Sequence, residues 1–569
     1  MMPTLTARQH LNRRIEDMRA EQSSWIPHWK DLIANFAPRR GKFSESDRNN
    51  GNKRNFLNNN TPLFAKRTLV SGLMTGVTSP ARPWFRLSTP DAELANFGPV
   101  RAWLDDVEKM MYRVFASSNL YKCLPTLYEE TSVIGTAAMI QEEDFETITR
   151  FTPFSAGEYM LDINGDLRVD TFAREYQQTA YQVASKFTDG DDLSNLSTAT
   201  RTNLDNSNYS AMVDIKHVIE PVSMSDHESL KLPDDFKWRS VYYEPGKGDE
   251  ADKFLRVKGY RDFPIHAPRW DAKADDTYGF SVGMDALGDS RQLQVQEKEK
   301  GKAIAKMVAP PTFAPTKLAN SNVSVMPGAV NFTDDANAIF KPIYQVNPQV
   351  DHLNMDIRQT EDRINRAFYV DLFLMISQQD DVRTATEIAA RQEEKLLQLG
   401  PVLEGLQDDL LDPLIDRTFD RLVRLSEPGW KGTEPQLLPP PPPELQGVKL
   451  KVEYISILAQ AQKLVSTGAM ERWVGFTGQL AALKPDVLDK INGDEITDIM
   501  AEDLGVPVKA VNGEDEVTGI RKARAEQEQQ MQMQAQMAAM VDSAKTLGDT
   551  PTTGGNVLND VVGVGGAQQ

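Results

Sequence analysis

The stretch "GMDALGDSRQLQVQEKEKGKAIAKMVAPP", Gly283 to Pro311, constrains the fold more than any other part of the chain. It reads as one helix that starts behind Gly288-Asp289 and stops at Pro310-Pro311, where two rings in succession cannot continue the hydrogen-bond ladder. At about 100° per residue, Leu293, Ile304, Met307 and Val308 share one side, with Glu297 and Lys300 also falling there. Arg291, Lys298, Lys302 and Lys306 lie within about 80° of one another on the other side, beside Val295 and Glu299. A long helix with so much lysine on one face cannot sit inside a core. That face meets water through i,i+4 pairs, the acids of another subunit, or a polyanion.

Whole-chain charge narrows the choice. The 569 residues carry 82 acidic and 63 basic side chains, a formal net charge of −19. Tight binding of DNA over a broad surface calls for a basic protein, so only loose or transient contact is compatible with this balance. Hydrophobic residues make up 40%, enough for large cores and several substructures. Cys123 is the single cysteine, which excludes an intrachain disulfide and a cysteine-based zinc site and suits a reducing cytosol. The start has no signal-peptide core, and no apolar run approaches the roughly 20 residues of a membrane span. The expectation is a soluble, non-secreted protein.

Periodicity predicts a helix over residues 5–37 and a polar loop over Ser44–Asn60. A helix follows over 61–77, with Thr61 as N-cap and Pro62 at N1. Gly72 and Gly76 in that helix would admit the close approach of another backbone. "WFRL" (84–87) reads as a short strand, and 98–117 and 120–135 as helices. From 137 to 185 the pattern alternates, and Asn164-Gly165 between two β-type runs signals a hairpin with a type I′ turn. Strands continue through 211–222 and 236–265. Beyond the opening helix come a Pro-rich insert (310–348) and a long second helix (349–376). "SQQDDVRTATE" (377–387) interrupts the helical pattern, which resumes to Leu425. Five consecutive prolines then make 435–447 an extended spacer. Residues 452–505 read as helical, and 516–547 as an Ala/Gln/Met/Glu helix about 48 Å long. Its thin methionine stripe makes one copy marginal in water and several side by side better off. The fold class is α+β, predominantly helical.

No chemistry stands out. There is no phosphate-binding loop and no nucleophile elbow. The six histidines lack metal-ligand spacing. His217 and His227 with Asp226 could be imagined as a site, but surface or structural roles fit them better. "DINGDLRVD" looks like a calcium loop until its sixth position, where Leu167 replaces the required glycine, so the hairpin reading stands. No catalytic residue, metal or cofactor is expected, and the chain is not read as an enzyme.

Nine stretches in order resemble the head-to-tail connecting (portal) proteins of short-tailed bacteriophages. They are "SGLMTGVTSPARPWFRL" (71–87), "SSNLY" (117–121), "IGTAA" (134–138), "GDLRVDTFARE" (165–175), "FPIHAPRW" (263–270), "YGFSVGMDALGDSRQL" (278–293), "RTATEIAARQEEK" (383–395), "LGPVLEGLQDDLLDPLIDR" (399–417) and "EYISILAQAQ" (453–462). The likeness spans residues 5–510 and is only general in the C-terminal helix and tail.

The resemblance implies a ring, normally of about twelve subunits, at one capsid vertex, a closed cyclic arrangement of identical chains. Double-stranded DNA would pass through its centre without sequence recognition. The terminase large subunit would dock during packaging, and tail adaptor and tail proteins afterwards, with major capsid and scaffolding proteins around the ring and no membrane partner. The virion is the implied location, and the host cytoplasm during assembly. The alternative is a capsid-associated scaffold or structural protein without a DNA channel.

On the portal reading, 1–286 form an N-terminal and α+β wing, 287–309 the first stem helix, 310–348 the clip and 349–376 the second stem helix. Residues 377–386 form a channel loop, 387–434 wing helices, 435–447 a Pro-rich linker, 448–512 a crown, 513–548 a C-terminal barrel helix and 549–569 a flexible tail. Channel candidates are Lys298, Lys302, Lys306, Gln378, Gln379, Asp380 and Asp381. Clip candidates for motor or adaptor docking are Thr316, Lys317, Asn320, Asn322, Asp334 and Asp335. The stem lysines would face either DNA or the next subunit.

Overall fold

A computed structural model describes most of residues 7–308, isolated positions between 312 and 342, and residues 350–378 and 399–426. It also describes most of 438–459 and 473–503 and the helix over 514–548. The chain is a mixed α+β fold, predominantly helical. It divides into two compact units: Met1–Arg86 with Asp106–Pro439 and Val452–Leu488, and Leu87–Asp105 with Pro440–Lys451 and Asp489–Gln569.

The helix expected over 5–37 is two, α1 (Ala7–Ser23) and α2 (Ile26–Phe36). Pro27, in the first turn of α2, has no N–H to carry the ladder across the junction. Helix α3 (Thr61–Gly76) starts one residue earlier than Thr61 as cap would require. Asn60 is its N-cap, and the Asn59 side-chain oxygen accepts from the Thr61 N–H (2.9 Å) and hydroxyl (2.7 Å). Gly72 and Gly76 are needed small, as expected, but they receive side chains rather than a backbone. A β-carbon at Gly72 would strike the Phe373 ring, and one at Gly76 would lie 2.8 Å from Leu458.

Strand β1 (Phe85–Ser88) follows, then α4 (Gly98–Ser117) and α5 (Leu120–Ile134). The Tyr112 hydroxyl accepts from the N–H groups of Trp84 and Phe85 (both 2.9 Å) and donates to the Phe85 carbonyl (2.7 Å). Gly135 ends α5 at φ +96°, a conformation open to glycine and strained for other residues.

Strands β2 (Ala138–Asp144), β3 (Ile148–Phe154), β4 (Tyr159–Ile163) and β5 (Val169–Thr179) come next. The hairpin at Asn164-Gly165 exists, but its loop covers five residues. Leu167, not the Asn-Gly pair, takes positive φ (+62°), and the Asn164 side chain accepts from the N–H groups of Asp166 and Arg168 (2.9 and 3.1 Å). The alternating pattern also ends early. Residues 180–187 form α6, because Thr179 and Gln182 make a reciprocal capping box.

Helix α7 (Thr198–Asp205) and strands β6 (Met212–Pro221), β7 (Trp238–Tyr243), β8 (Arg256–Tyr260) and β9 (Ile265–His266) complete this region. Five strands form an antiparallel sheet in the order β4-β5-β6-β7-β8, and three form a second in the order β3-β2-β9. The period-2 pattern serves two faces of the large sheet. Leu11, Ile15 and Met18 of α1 pack on Met160, Ala173, Val218 and Val241. Val183 and Phe187 of α6 pack on Val213, Ile215 and Tyr242 on the other face.

The long helices α8 (Val282–Val308), α9 (Val350–Ala367) and α10 (Val370–Gln378) come next, with the short strands β10 (Thr312–Phe313) and β11 (Lys341–Pro342) between α8 and α9. Helix α11 (Asp412–Ser426) continues from a wider turn at Gln407–Leu411. Residues 451–454 are a strand, β12 (Lys451–Tyr454), where helix was expected. In the second unit, α12 (Gly493–Asp503) is joined to α13 (Glu514–Gly548) by a two-pronged Arg521–Asp494 pair at 2.6 and 2.7 Å.

Neighbouring carboxyls of α5 are pushed in opposite directions. Burial works to raise Glu129, but Lys66 and Arg40 beside it outweigh that and hold it below its usual value. Glu130 is buried, accepts one hydrogen bond from Ala156 N–H (3.1 Å), and leaves its other oxygen without a partner. Burial pushes its carboxyl up from 4.5 to about 7. The folded protein therefore keeps a proton that the unfolded chain loses, and stability falls as pH rises from 4.5 towards 7. Glu130→Gln should stabilise the fold at pH 8, by up to about 3 kcal/mol, and flatten this fall. An unchanged pH profile in urea melts would refute the assignment.

Candidate functional site

The lysine-rich helix α8 is longer at its start than the sequence suggests. Ser281 caps it by accepting from Met284 N–H (3.1 Å) while donating to the Val133 carbonyl (2.7 Å), and Gly288 lies inside the helix with open space around it. The additional N-terminal residues enter the core, where Val282, Ala286, Leu287 and Leu293 are buried. A β-carbon at Gly283 would stand 2.7 Å from the Val133 carbonyl oxygen, so α8 leaves directly against the end of α5.

Helix α9 runs antiparallel beside α8. Arg363 pairs with Asp289 (2.8 Å) and donates to Gln292 (3.4 Å), while Gln296 donates to Asp356 (2.5 Å). Ile357, Thr360 and Ile364 of α9 are buried, and Phe368 meets Phe36 of α2 with ring centroids 5.3 Å apart. The second long helix, expected unbroken over 349–376, divides at Tyr369 (φ +52°) into α9 and α10.

A polar knot binds the pair to the start of α3. Gln294 accepts from the N–H groups of Asn58 and Asn59 (2.7 and 3.0 Å) and donates back to the Asn59 carbonyl (2.9 Å). The Asn59 side chain donates to Glu297 (3.2 Å) and to Glu361 (2.8 Å). Asn59, Gln294 and Glu361 were not singled out by sequence. Their one signal is the run Asn58-Asn59-Asn60 before Thr61-Pro62, which reads equally well as an ordinary polar loop.

Beyond the knot, α8 is open. Lys298, Lys302 and Lys306 are exposed on one face. Glu299 accepts a 2.6 Å hydrogen bond from Lys302, and that bond with the charges of Lys302, Lys298 and Lys306 holds its carboxyl below the usual range. The three lysines thus share a neighbourhood around one carboxylate. Arg291, on the same side, pairs with Asp31 of α2 (2.7 Å). The apolar side behaves in two ways. Leu293 is fully buried, whereas Ile304, Met307 and Val308 are 42, 47 and 81% exposed, so α9 covers only the first part of the stripe.

Gln378 is the last residue of α10, and Gln379, Asp380 and Asp381 lie outside the described residues. Among the docking candidates Thr316 is exposed, and Lys317, Asn320, Asn322, Asp334 and Asp335 lie outside. Strands β10 and β11 pair antiparallel, Thr312 opposite Pro342 and Phe313 opposite Lys341, which closes the base of the insert. His217 is a core residue: its ring stacks on Tyr242 at 3.8 Å, and Nε2 meets the Ser240 hydroxyl at 2.9 Å. Asp226 and His227 lie outside the described residues. Among those residues no group of His, Cys, Asp and Glu could hold a metal ion, and no helix is long and apolar enough to cross a membrane.

A long charged helix pair is thus rooted in an α+β body, with an insert between its members whose base β10 and β11 close. Residues 8–511 match the family described as bacteriophage head to tail connecting protein. The chain is 41% identical over 565 residues to a probable portal protein of Bordetella phage BPP-1, covering 98% of this chain and 99% of that one. It is 40% identical over 570 residues to the portal protein of Salmonella phage epsilon15, covering 99% of both. A chain from the virion of a native gene transfer agent particle aligns at a TM-score of 0.32 with 11% identity over 72% of this chain and 93% of that one, too distant to bear on the fold. The chain belongs to the bacteriophage head-to-tail connecting protein family and is a virion component of the portal type.

Ser281→Ala removes the cap of α8 and the donor to Val133, and should cost about 1–2 kcal/mol. Gly283→Ala, which meets backbone rather than a flexible side chain, should cost about as much or more, by overpacking. Chemical denaturation checks both, and a Gly283→Ala protein as stable as the parent would show that α8 is not held this closely.

Proposed function

We propose that copies of this chain close into a ring at one capsid vertex and that double-stranded DNA passes through its centre during packaging and ejection. The observation that carries this is end-to-end similarity to two portal proteins at 41 and 40% identity. Likeness to portal proteins over the whole chain favours this function over that of a capsid scaffold. The reading takes residues 1–286 and 387–434 as the wing, 287–309 and 349–376 as the two stem helices, 310–348 as the clip, 377–386 as the channel loop, 448–512 as the crown and 513–548 as one stave of a barrel. The base closed by β10 and β11 suits a clip that projects from the stem and returns to it.

On this reading the protein is a conduit and a platform, not an enzyme. Work on the DNA is done by a terminase that docks on the clip, and tail adaptor proteins take its place when packaging ends. Net charge of −19 per subunit keeps the wall from gripping phosphate. The lysines of α8 add local positive bands, which contact any phosphate without reading bases.

Electron micrographs of the purified protein should show a ring with a central hole, and native mass should be a multiple of the 63.7 kDa chain near twelvefold. A monomer or an open filament under assembly conditions would end this reading. Replacing Lys298, Lys302 and Lys306 together with Gln should leave rings intact at moderate salt. If the lysines face the channel, the salt slope of DNA association falls by about one for each phosphate no longer neutralised. If they face the next subunit, the slope stays and the rings dissociate at lower salt. Deleting Gln378–Asp381 should give rings that assemble but package or retain DNA poorly, and normal retention would remove these residues from the channel.

A further inference from the structure

Four strands of the large sheet place Arg174, His217, Tyr242 and Arg256 opposite one another in a single row, on the face that α6 covers. The row is a stack of cations and rings. The Arg174 guanidinium lies 4.8 Å from the Phe154 ring and 4.4 Å from Tyr176, and its Nε donates to His217 Nδ1 (3.3 Å). His217 stacks on Tyr242. Arg256 then lies 4.8 Å from the Tyr242 ring and 5.2 Å from Phe187, and Lys186 of α6 shares both rings at 5.8 and 5.6 Å. Three cations are thus held by aromatic faces. Among the described residues none of them forms an ion pair with a carboxylate.

Such an arrangement is unusual for a purely structural cluster. Cations drawn partly out of water are normally paired, because desolvation costs several kcal/mol unless a counter-charge offsets it. Here Glu142 of β2 is the acid whose charge reaches the group. Burial lowers Lys186 and His217, and the charges of Arg174 and Arg256 lower both further. An arginine stacked on a ring keeps its N–H edge free, the geometry that receives an oxyanion. Arg256 Nε and the Tyr176 hydroxyl are sealed from water and carry no hydrogen bond. In a chain of net charge −19, a cluster with three cations near one acid is a local reversal of sign.

We propose that Lys186 and Arg256, which share the Tyr242 and Phe187 rings, form an oxyanion-binding site on the α6 face of the sheet, filled by a phosphate- or carboxylate-type group approaching past the exposed Lys186. The two sources of that chemistry are a free phosphate and a carboxylate presented by a second copy of the chain. Both meet the same donors, and assembly state separates them.

The test is titration of the full-length protein, assembled and dissociated, with inorganic phosphate against chloride at equal ionic strength, followed by calorimetry and thermal melting. Saturable binding to the assembled protein, weakened about tenfold in Arg256→Gln, supports a free phosphate as occupant. Binding confined to dissociated chains, with Arg256→Gln and Lys186→Gln both impairing assembly, supports the neighbour's carboxylate. Lys186→Gln removes one charge from an exposed position and keeps the test valid if Arg256→Gln fails to fold. Absence of phosphate binding in both states overturns the proposal, as does binding that neither substitution weakens.

Discussion

The backbone contact between the end of α5 and the beginning of α8 governs everything built beyond it. Gly135 leaves α5 in a left-handed conformation, and a β-carbon there would meet the Gly279 backbone. Thr136 accepts from Gly279 N–H at 2.8 Å, and Gly283 fits against Val133. Three glycines and one capping serine thereby bring two backbones to a separation that larger side chains would prevent. The helix that leaves this joint is 27 residues long, about 40 Å, and its first third is inside the core. It acts as a lever with a fixed root. The Asn59 knot then sets where α9 lies along it, so the direction of the pair follows from short-range contacts alone.

Electrostatics divides the basic residues into three groups by what surrounds them. Lys66 and Arg40, which share Glu129, and Arg239, which pairs with Glu220, are buried or half-buried and hold elements together. Arg174, Lys186 and Arg256 lean on rings instead. Lys298, Lys302 and Lys306 stand in water around Glu299, where screening makes their mutual effect small. Of these three, the last two contain the residues proposed to meet an outside anion, and they lie on different elements. If both proposals hold, an acidic chain carries two separate anion-responsive features without becoming a general DNA binder.

Legibility in the sequence followed the range of the forces involved. Helices with a strong period and local stops were readable: 98–117, 120–135 and the Ala/Gln/Met helix near 516–547 all occur close to their expected bounds. What failed depended on a partner elsewhere or on side-chain geometry. Gly288 looked like a helix start because glycine often breaks helices, yet Ser281 supplied a better cap seven residues earlier. Asn164-Gly165 marked a hairpin correctly, but the positive φ moved to Leu167 once the Asn164 side chain took two N–H groups. Tyr369 divides α9 from α10 without any proline or glycine to announce it. The Asn59 knot joins residues more than 200 apart, and no local pattern contains it. Family membership was legible because nine separate stretches agreed in order, a signal that no single motif supplied.

Two features make little sense in one chain and are complementary in several. Ile304, Met307 and Val308 continue the stripe that Leu293 begins, yet α9 does not reach them. On α13, Met531, Met533, Met537 and Met540 are between 56 and 73% exposed along a helix of 35 residues. A soluble chain would be expected to replace such side chains with polar ones unless something covers them, since each exposed methionine forgoes the roughly 1.5–3 kcal/mol of full burial. An isolated helix with so thin a stripe is also poorly stabilised by its own hydrogen bonds. The proposed ring would answer both at once, because rotation brings equivalent helices side by side and one copy's uncovered stripe meets the flank of the next. The same rotation repeats Lys298, Lys302 and Lys306 at one height around an axis. Both faces of α8 are therefore accounted for by the proposed ring, in which the half left exposed in the single chain would line the channel or meet the next subunit.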